Sequence, residues 1–216
     1  MVSWLPAAIC AVATGALLLA EKWDHFTLRA VSKPIAALAF IVSAWSLGAV
    51  FHGLAGHILL VGLVLGAIGD VLLIPEDNGV IFKAGIASFG LSHVAYIAVF
   101  LTLGASPLGI ATLLVGVPLG WRIWVWLRDT AGKLRRAVAG YIIIIVLMVA
   151  SACGALIIEP TNPGRQVLLA AAVIFFLSDL CVARQRFSVK DVRNRYVGLP
   201  LYFGAQLLFG LGMSLT

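Results

Sequence analysis

Eight long apolar runs, with only short polar joints between them, make up nearly the whole chain: roughly 2–20, 33–51, 57–74, 81–103, 107–128, 136–158, 166–184 and 194–215. A helix of about 20 apolar residues crosses the hydrocarbon core of a bilayer. Lipid offers no partners to free backbone groups, so spanning segments are helices or closed barrels. These runs are continuously apolar rather than alternating, which excludes a barrel. The residues are 62% hydrophobic and 11% charged, and the mean hydropathy is +1.09. The joints leave no room for a separate soluble domain. The expectation is an all-α membrane protein, one domain over 1–216, with eight transmembrane helices in one bundle.

The charges orient that bundle. Lys22, Arg29 and Lys33 fall between segments one and two, and Lys83 begins segment four. Arg122, Arg128, Lys133, Arg135 and Arg136 cluster between five and six; Arg184, Arg186, Lys190, Arg193 and Arg195 lie between seven and eight. Fourteen of the 15 basic residues thus share one side, and Arg165 alone lies opposite. The positive-inside rule makes the basic side cytoplasmic and both termini non-cytoplasmic. Topology and contact with anionic lipid account for the net charge of +6, and no nucleic-acid partner is implied.

Local signals refine the segments. No basic residue precedes the first run, which therefore reads as a membrane helix rather than a signal peptide. Cys10 follows Ile9 rather than a small residue and does not suit lipid attachment. Cys10, Cys153 and Cys181 stand within helices at spacings useless for a metal, and read as packing residues. His25 and His52 fall in joints, and His57 opens a helix. Pro34 and Pro107 read as helix starts, Pro75 as the end of segment three, and Pro160 with Asn162–Pro163–Gly164 as a turn. Pro118 and Pro200 lie inside segments and predict kinks. Gly62 and Gly66 predict close packing of segment three on a neighbour. Trp4, Trp23, Trp121, Trp124 and Trp126 read as interface anchors.

Two acids stand out against this background. Asp70 lies in HILLVGLVLGAIGDVLLIP and Asp179 in QVLLAAAVIFFLSDLCVAR. A carboxylate near a helix centre in lipid costs about 2.5–3.5 kcal/mol on insertion scales, so such residues usually face a polar cavity, a relay or an active site. The plainer reading of each is a buried helix-to-helix hydrogen bond. Both acids sit four or five residues from the cytoplasmic end of their runs, roughly 6–8 Å inside the boundary at 1.5 Å per residue. They are therefore expected to meet at one level. The returning segments bring Ser92, His93 and Tyr96, and Tyr202 and Gln206. Asp70 precedes His93 by 23 residues, as Asp179 precedes Tyr202, which suggests a parallel four-plus-four repeat. His93, Tyr96 and Tyr202 read equally well as interhelical hydrogen bonds or packing aromatics. Ser178 reads best as bonded back to its own helix. Only Asp70, Asp179 and His93 together offer a metal site, and none is expected. Lys83, Arg193 and Arg195 lie close enough to the site to hold a phosphate.

The pieces GDVLLI, FKAGIASFGLSHVAYI, FFLSDLCVARQRF and LYFGAQLL, in this order, resemble the YhhN family of lysoplasmalogenases. The likeness covers about 66–97 and 172–208; Leu201 departs from it where a second aromatic is expected before Tyr202. The resemblance implies hydrolysis of the vinyl-ether bond of a lysoplasmalogen to a fatty aldehyde and a glycerophospho-base, without a cofactor. It places Asp70, His93, Tyr96, Asp179, Tyr202 and Gln206 at the family's polar positions, with a lysophospholipid substrate and surrounding membrane lipid as partners. The chemistry suits two acids, because vinyl ethers hydrolyse by carbon protonation and pass through an oxocarbenium ion, as glycosides do. Asp179, among bulkier apolar groups, is expected to be the acid, and Asp70, beside Gly69 and Gly66, the anion. The rival reading is a proton-coupled transporter or lipid flippase using both acids as a relay. An aspartyl protease fits poorly, since AIGD lacks the first glycine of the GxGD signature. Ala/Gly/Leu-rich helices and minimal loops point to a bacterial inner membrane.

Overall fold

The computed structural model describes residues 4–75, 79–104 and 106–216. Among these are eight helices long and apolar enough to cross a membrane, and no strand. They are α1 (Leu5–Lys22), α2 (Phe26–Ser46), α3 (Gly53–Leu72), α4 (Gly79–Thr102), α5 (Leu113–Leu127), α6 (Arg135–Ile158), α7 (Pro163–Phe187) and α8 (Val192–Ser214), with α5 reaching spanning length only together with the turn before it, as Pro107–Leu127. Short 3-10 turns at Ala49–Phe51, Pro107–Thr112 and Gly132–Leu134 lead into α3, α5 and α6. Helices α2, α3, α4, α6, α7 and α8 pack in that order into a closed ring. Outside it, α1 lies against α2 and α8, and α5 lies against α6. Large apolar side chains such as Val12, Leu114 and Val115 point outward, which is normal against acyl chains and would be a liability in water.

The second helix differs most from expectation. It starts at Phe26, not near residue 33, so Arg29, Lys33 and Pro34 lie inside α2 rather than in a joint or at a helix start. The physical reason is local neutralisation. His25 caps the helix by accepting from the Leu28 N–H at 3.2 Å. Arg29 is paired with Glu21 and Asp24, and Lys33 with Asp70. With their charges met by protein, these residues need no exposed loop. Two smaller differences follow from capping. Helix α7 begins at Pro163, because the Asn162 side chain accepts from Arg165 N–H, leaving a turn shorter than expected. Helix α3 begins at Gly53, so His57 lies one turn inside it.

The glycines of α3 do bring neighbours close. A Cβ on Gly62 would stand 2.6 Å from the Tyr96 ring of α4, and one on Gly66 2.6 Å from Gln206 Nε2 of α8. Ser88 and Ser92 of α4 reinforce the contact by donating to the α3 carbonyls of Leu65 at 2.6 Å and Gly62 at 2.8 Å. Arg165, alone among the basic residues at its end of the bundle, is buried there. It donates to the carbonyls of Ala155 and Leu103 at 2.7 and 2.8 Å and pairs with Glu159 at 2.9 Å. One guanidinium thus ties the ends of α4 and α6 to the start of α7.

Candidate active site

Asp70 is held from two sides. It is 2% exposed, two residues before the end of α3. Lys33 of α2 places Nζ 3.3 Å from Oδ1, and the Tyr202 hydroxyl of α8 donates to Oδ2 at 2.6 Å. Behind Tyr202 runs a directed chain. The Tyr96 hydroxyl donates to Gln206 Oε1 at 2.6 Å, and Gln206 Nε2 donates to the Tyr202 oxygen at 3.1 Å. With its oxygen accepting from Gln206, the tyrosine hydroxyl is left to donate to Asp70. Every donor in the chain therefore points toward one carboxylate, and a cation covers its other oxygen.

Asp179 is held differently. It stands eight residues before the end of α7, with its side chain 16% exposed. The Tyr141 hydroxyl of α6 donates to Oδ2 at 2.9 Å. His93 Nε2 of α4 is 3.2 Å from the same oxygen, without the alignment of a hydrogen bond. The other ring nitrogen fixes the tautomer. Nδ1 is 2.6 Å from the Phe89 carbonyl, which only accepts, so Nδ1 carries a proton. Nε2 is therefore the ring nitrogen that faces Asp179 Oδ2. Phe175 joins the two arrangements at their base, with its ring 4.4 Å from that of His93 and 5.4 Å from that of Tyr202.

Both acids line one cavity of about 300 Å³. Its charged end carries Glu21, Arg29, Lys33, Lys190 and Arg195; Arg186, stacked over Phe82, also lines the cavity, and the remaining wall is largely apolar. Glu21, at the end of α1, pairs with Arg29 at 3.1 Å and closely with Arg195. Of the expected site residues, Asp70, Asp179, Tyr202 and Arg195 line the cavity. His93, Tyr96 and Gln206 are wholly buried behind them. Lys83 and Arg193 are exposed and lie outside the lining. Ser178 bonds back to the Phe175 carbonyl of its own helix at 2.7 Å. Among the described residues, no group of three His, Cys, Asp or Glu side chains gathers at metal-holding range.

Sequence reasoning missed Lys33, Tyr141, Glu21 and Arg29. Lys33 was hidden by Pro34, which reads as the start of a helix. Tyr141 had a usable signal: it is the one hydroxyl-bearing residue in the half of an otherwise aliphatic run nearer the basic end, the end to which Asp179 also lies close. Asp179 stands six residues further from the end of its helix than Asp70 does, and both nevertheless reach the one cavity. The partners also cross over. Asp70 meets Tyr202, which is 23 residues after Asp179, and Asp179 meets His93, which is 23 residues after Asp70.

Known proteins resemble the chain over almost all of this architecture. The YhhN family matches residues 28–213. A bovine protein (Bos taurus) named lysoplasmalogenase TMEM86A is 32% identical over 97% of this chain and 82% of its own length. The human protein of that name is 30% identical over the same shares. No solved structure matches. The matched region contains both acids and all four side chains that touch them, and the chain belongs to the YhhN family.

Proposed function

We propose that this chain is a lysoplasmalogenase, an intramembrane hydrolase that cleaves the vinyl-ether bond of alkenyl glycerophospholipids carrying a single chain. Family membership and the names of the bovine and human relatives support the reaction. The observation that carries it in the molecule is the pairing of two unlike acids on one cavity. Asp70 has a cation and a hydroxyl donor, the surroundings of an anion. Asp179 has the Tyr141 hydroxyl and the His93 imidazole against one oxygen, has no cation of Lys or Arg paired with it among the described residues, and opens on the cavity.

The proposed steps return both acids to their starting state. Asp179 gives its proton to the β-carbon of the vinyl ether, and the α-carbon and ether oxygen become an oxocarbenium ion. Asp70 stabilises that cation and takes a proton from the water that adds to the α-carbon, giving a hemiacetal. Asp70 then protonates the departing glycerol oxygen while Asp179 takes the hemiacetal hydroxyl proton. The C–O bond breaks, and a fatty aldehyde and a glycerophospho-base leave. Tyr141 and His93 hold Asp179; Tyr202, with Gln206 and Tyr96 behind it, holds Asp70. Arg195, with Lys190, is placed at the charged end of the cavity to meet the substrate phosphate.

The basic end is proposed to face the cytoplasm, with both termini opposite. The crossed 23-residue pairing supports a parallel four-plus-four repeat, and the composition supports a bacterial inner membrane. The deciding assay incubates purified protein with alkenyl and saturated alkyl lysolipids and measures fatty aldehyde. Aldehyde from the alkenyl lipid alone, with a normal solvent isotope effect from rate-limiting carbon protonation, is the expected result. Lipid passage across proteoliposomes without aldehyde would favour the flippase reading instead.

A further inference from the structure

We infer that the alkenyl chain of the substrate lies against the apolar wall of the cavity formed by α5, α6 and α7, and that residues there set the chain selectivity. This rests on the hydrolase reading above for the identity of the lipid. The reacting bond of such a lipid lies between a charged headgroup and an apolar chain, so the two must leave the acids in different directions. The charged end of the cavity takes the headgroup side, where Arg29, Lys190 and Arg195 gather. A cavity of about 300 Å³ is at the small end for ligand sites.

The opposite wall is of a different kind. Ile123 and Leu127 of α5, Val138 and Ile142 of α6, and Leu180 and Ala183 of α7 line the cavity. They belong to an apolar cluster separate from the main core of the bundle. The α7 members are half-buried although they face inward, as expected of a wall beside open space. This wall also gives α5 a reason to be present. That helix stands outside the ring against α6, contributes none of the side chains that touch either acid, and reaches the cavity only through Ile123 and Leu127.

The test uses the intact protein in detergent or nanodiscs with a non-cleavable alkyl lysophosphoethanolamine bearing a diazirine midway along its chain. Photolabelling is expected on residues 123–142 and 176–187. Labelling confined to α1, α2 and α3 overturns the inference. In parallel, Val138→Phe and Ala183→Phe are compared on alkenyl lysolipids of increasing chain length. A side chain filling the space beside this wall should lower the ratio of long-chain to short-chain kcat/KM, by roughly fourfold for each methylene excluded. A ratio equal to that of the unaltered protein overturns the inference. If both variants lose all activity, the labelling decides, because it needs no substitution. Labelling of this wall in a protein that releases no aldehyde would leave the chain site standing and remove the hydrolase reading. Aldehyde release with labelling elsewhere would do the reverse.

Discussion

At the scale of single residues, the central fact is that the two carboxylates have different companions. Asp70→Asn and Asp179→Asn should each lower kcat by several orders of magnitude while the protein still inserts. The double variant should be little worse than either, because residues that act as a unit are not additive. Near-normal turnover in either single variant would remove the two-acid scheme. Lys33 allows stability to be separated from chemistry. Removing one partner of a buried ion pair costs about 3–5 kcal/mol, whereas replacing both is often nearly neutral. Lys33→Met should therefore lower the unfolding temperature clearly, and Lys33→Met with Asp70→Asn should recover most of it without recovering activity. A double variant as unstable as Lys33→Met would show that the 3.3 Å pair is not what holds this region. Asp70 and Asp179 were legible in the sequence because charge in lipid is costly. Their companions were less so, since a hydroxyl or a lysine near a helix end is common and only the tertiary fold selects which one arrives.

At the scale of elements, segmentation was legible because apolar length is a strong signal, while ends were legible only where a residue type decides them. The start of α2 was missed by seven residues, because Arg29 and Lys33 are charges whose partners lie on α1 and α3. No reading of one segment contains that information. Helix contacts invite a sharper test. A Cβ on Gly210 of α8 would stand 2.7 Å from Ala44 Cβ and 2.9 Å from Ala44 Cα of α2, whereas one on Gly204 meets nothing within 4 Å. Backbone cannot swing aside as a side chain can, so Gly210→Ala must force α2 and α8 apart. A cost of about 1–3 kcal/mol is expected, typical of overpacking. Gly204→Ala should be neutral or stabilising by up to about 1 kcal/mol from helix propensity. Thermal unfolding of the two variants side by side gives the comparison, and equal midpoints would contradict the close α2–α8 contact. Because α2 carries Lys33 and α8 carries Tyr202, loosening that contact should also reduce activity, with the protein still folded at lower temperature.

At the scale of the whole molecule, the question is which face of the membrane the cavity serves. Its charged end lies where α1 ends and where α2 and α8 begin, at the end that carries 14 of the 15 basic residues. The positive-inside rule assigns that end to the cytoplasm. The acids lie a short way below it, near the depth at which the ether bond of a lysolipid sits beneath its headgroup. A substrate in the cytoplasmic leaflet can then reach them without crossing the bilayer or turning over. Two exposed positions at opposite ends test this, Lys133 in the joint before α6 and Thr161 in the turn before α7. On a background lacking the native cysteines, a membrane-impermeant maleimide added to intact cells should label Thr161→Cys and spare Lys133→Cys. Inside-out vesicles should reverse the pattern. The same vesicles carry the functional half of the test. Lysoplasmalogen supplied to inside-out vesicles should be cleaved at once, with the water-soluble glycerophospho-base appearing on the outside. Right-side-out vesicles should show a lag set by lipid crossing. Labelling of Lys133→Cys from outside intact cells would place the cavity at the opposite leaflet, and the basic end would then owe its charge to the substrate phosphate rather than to insertion.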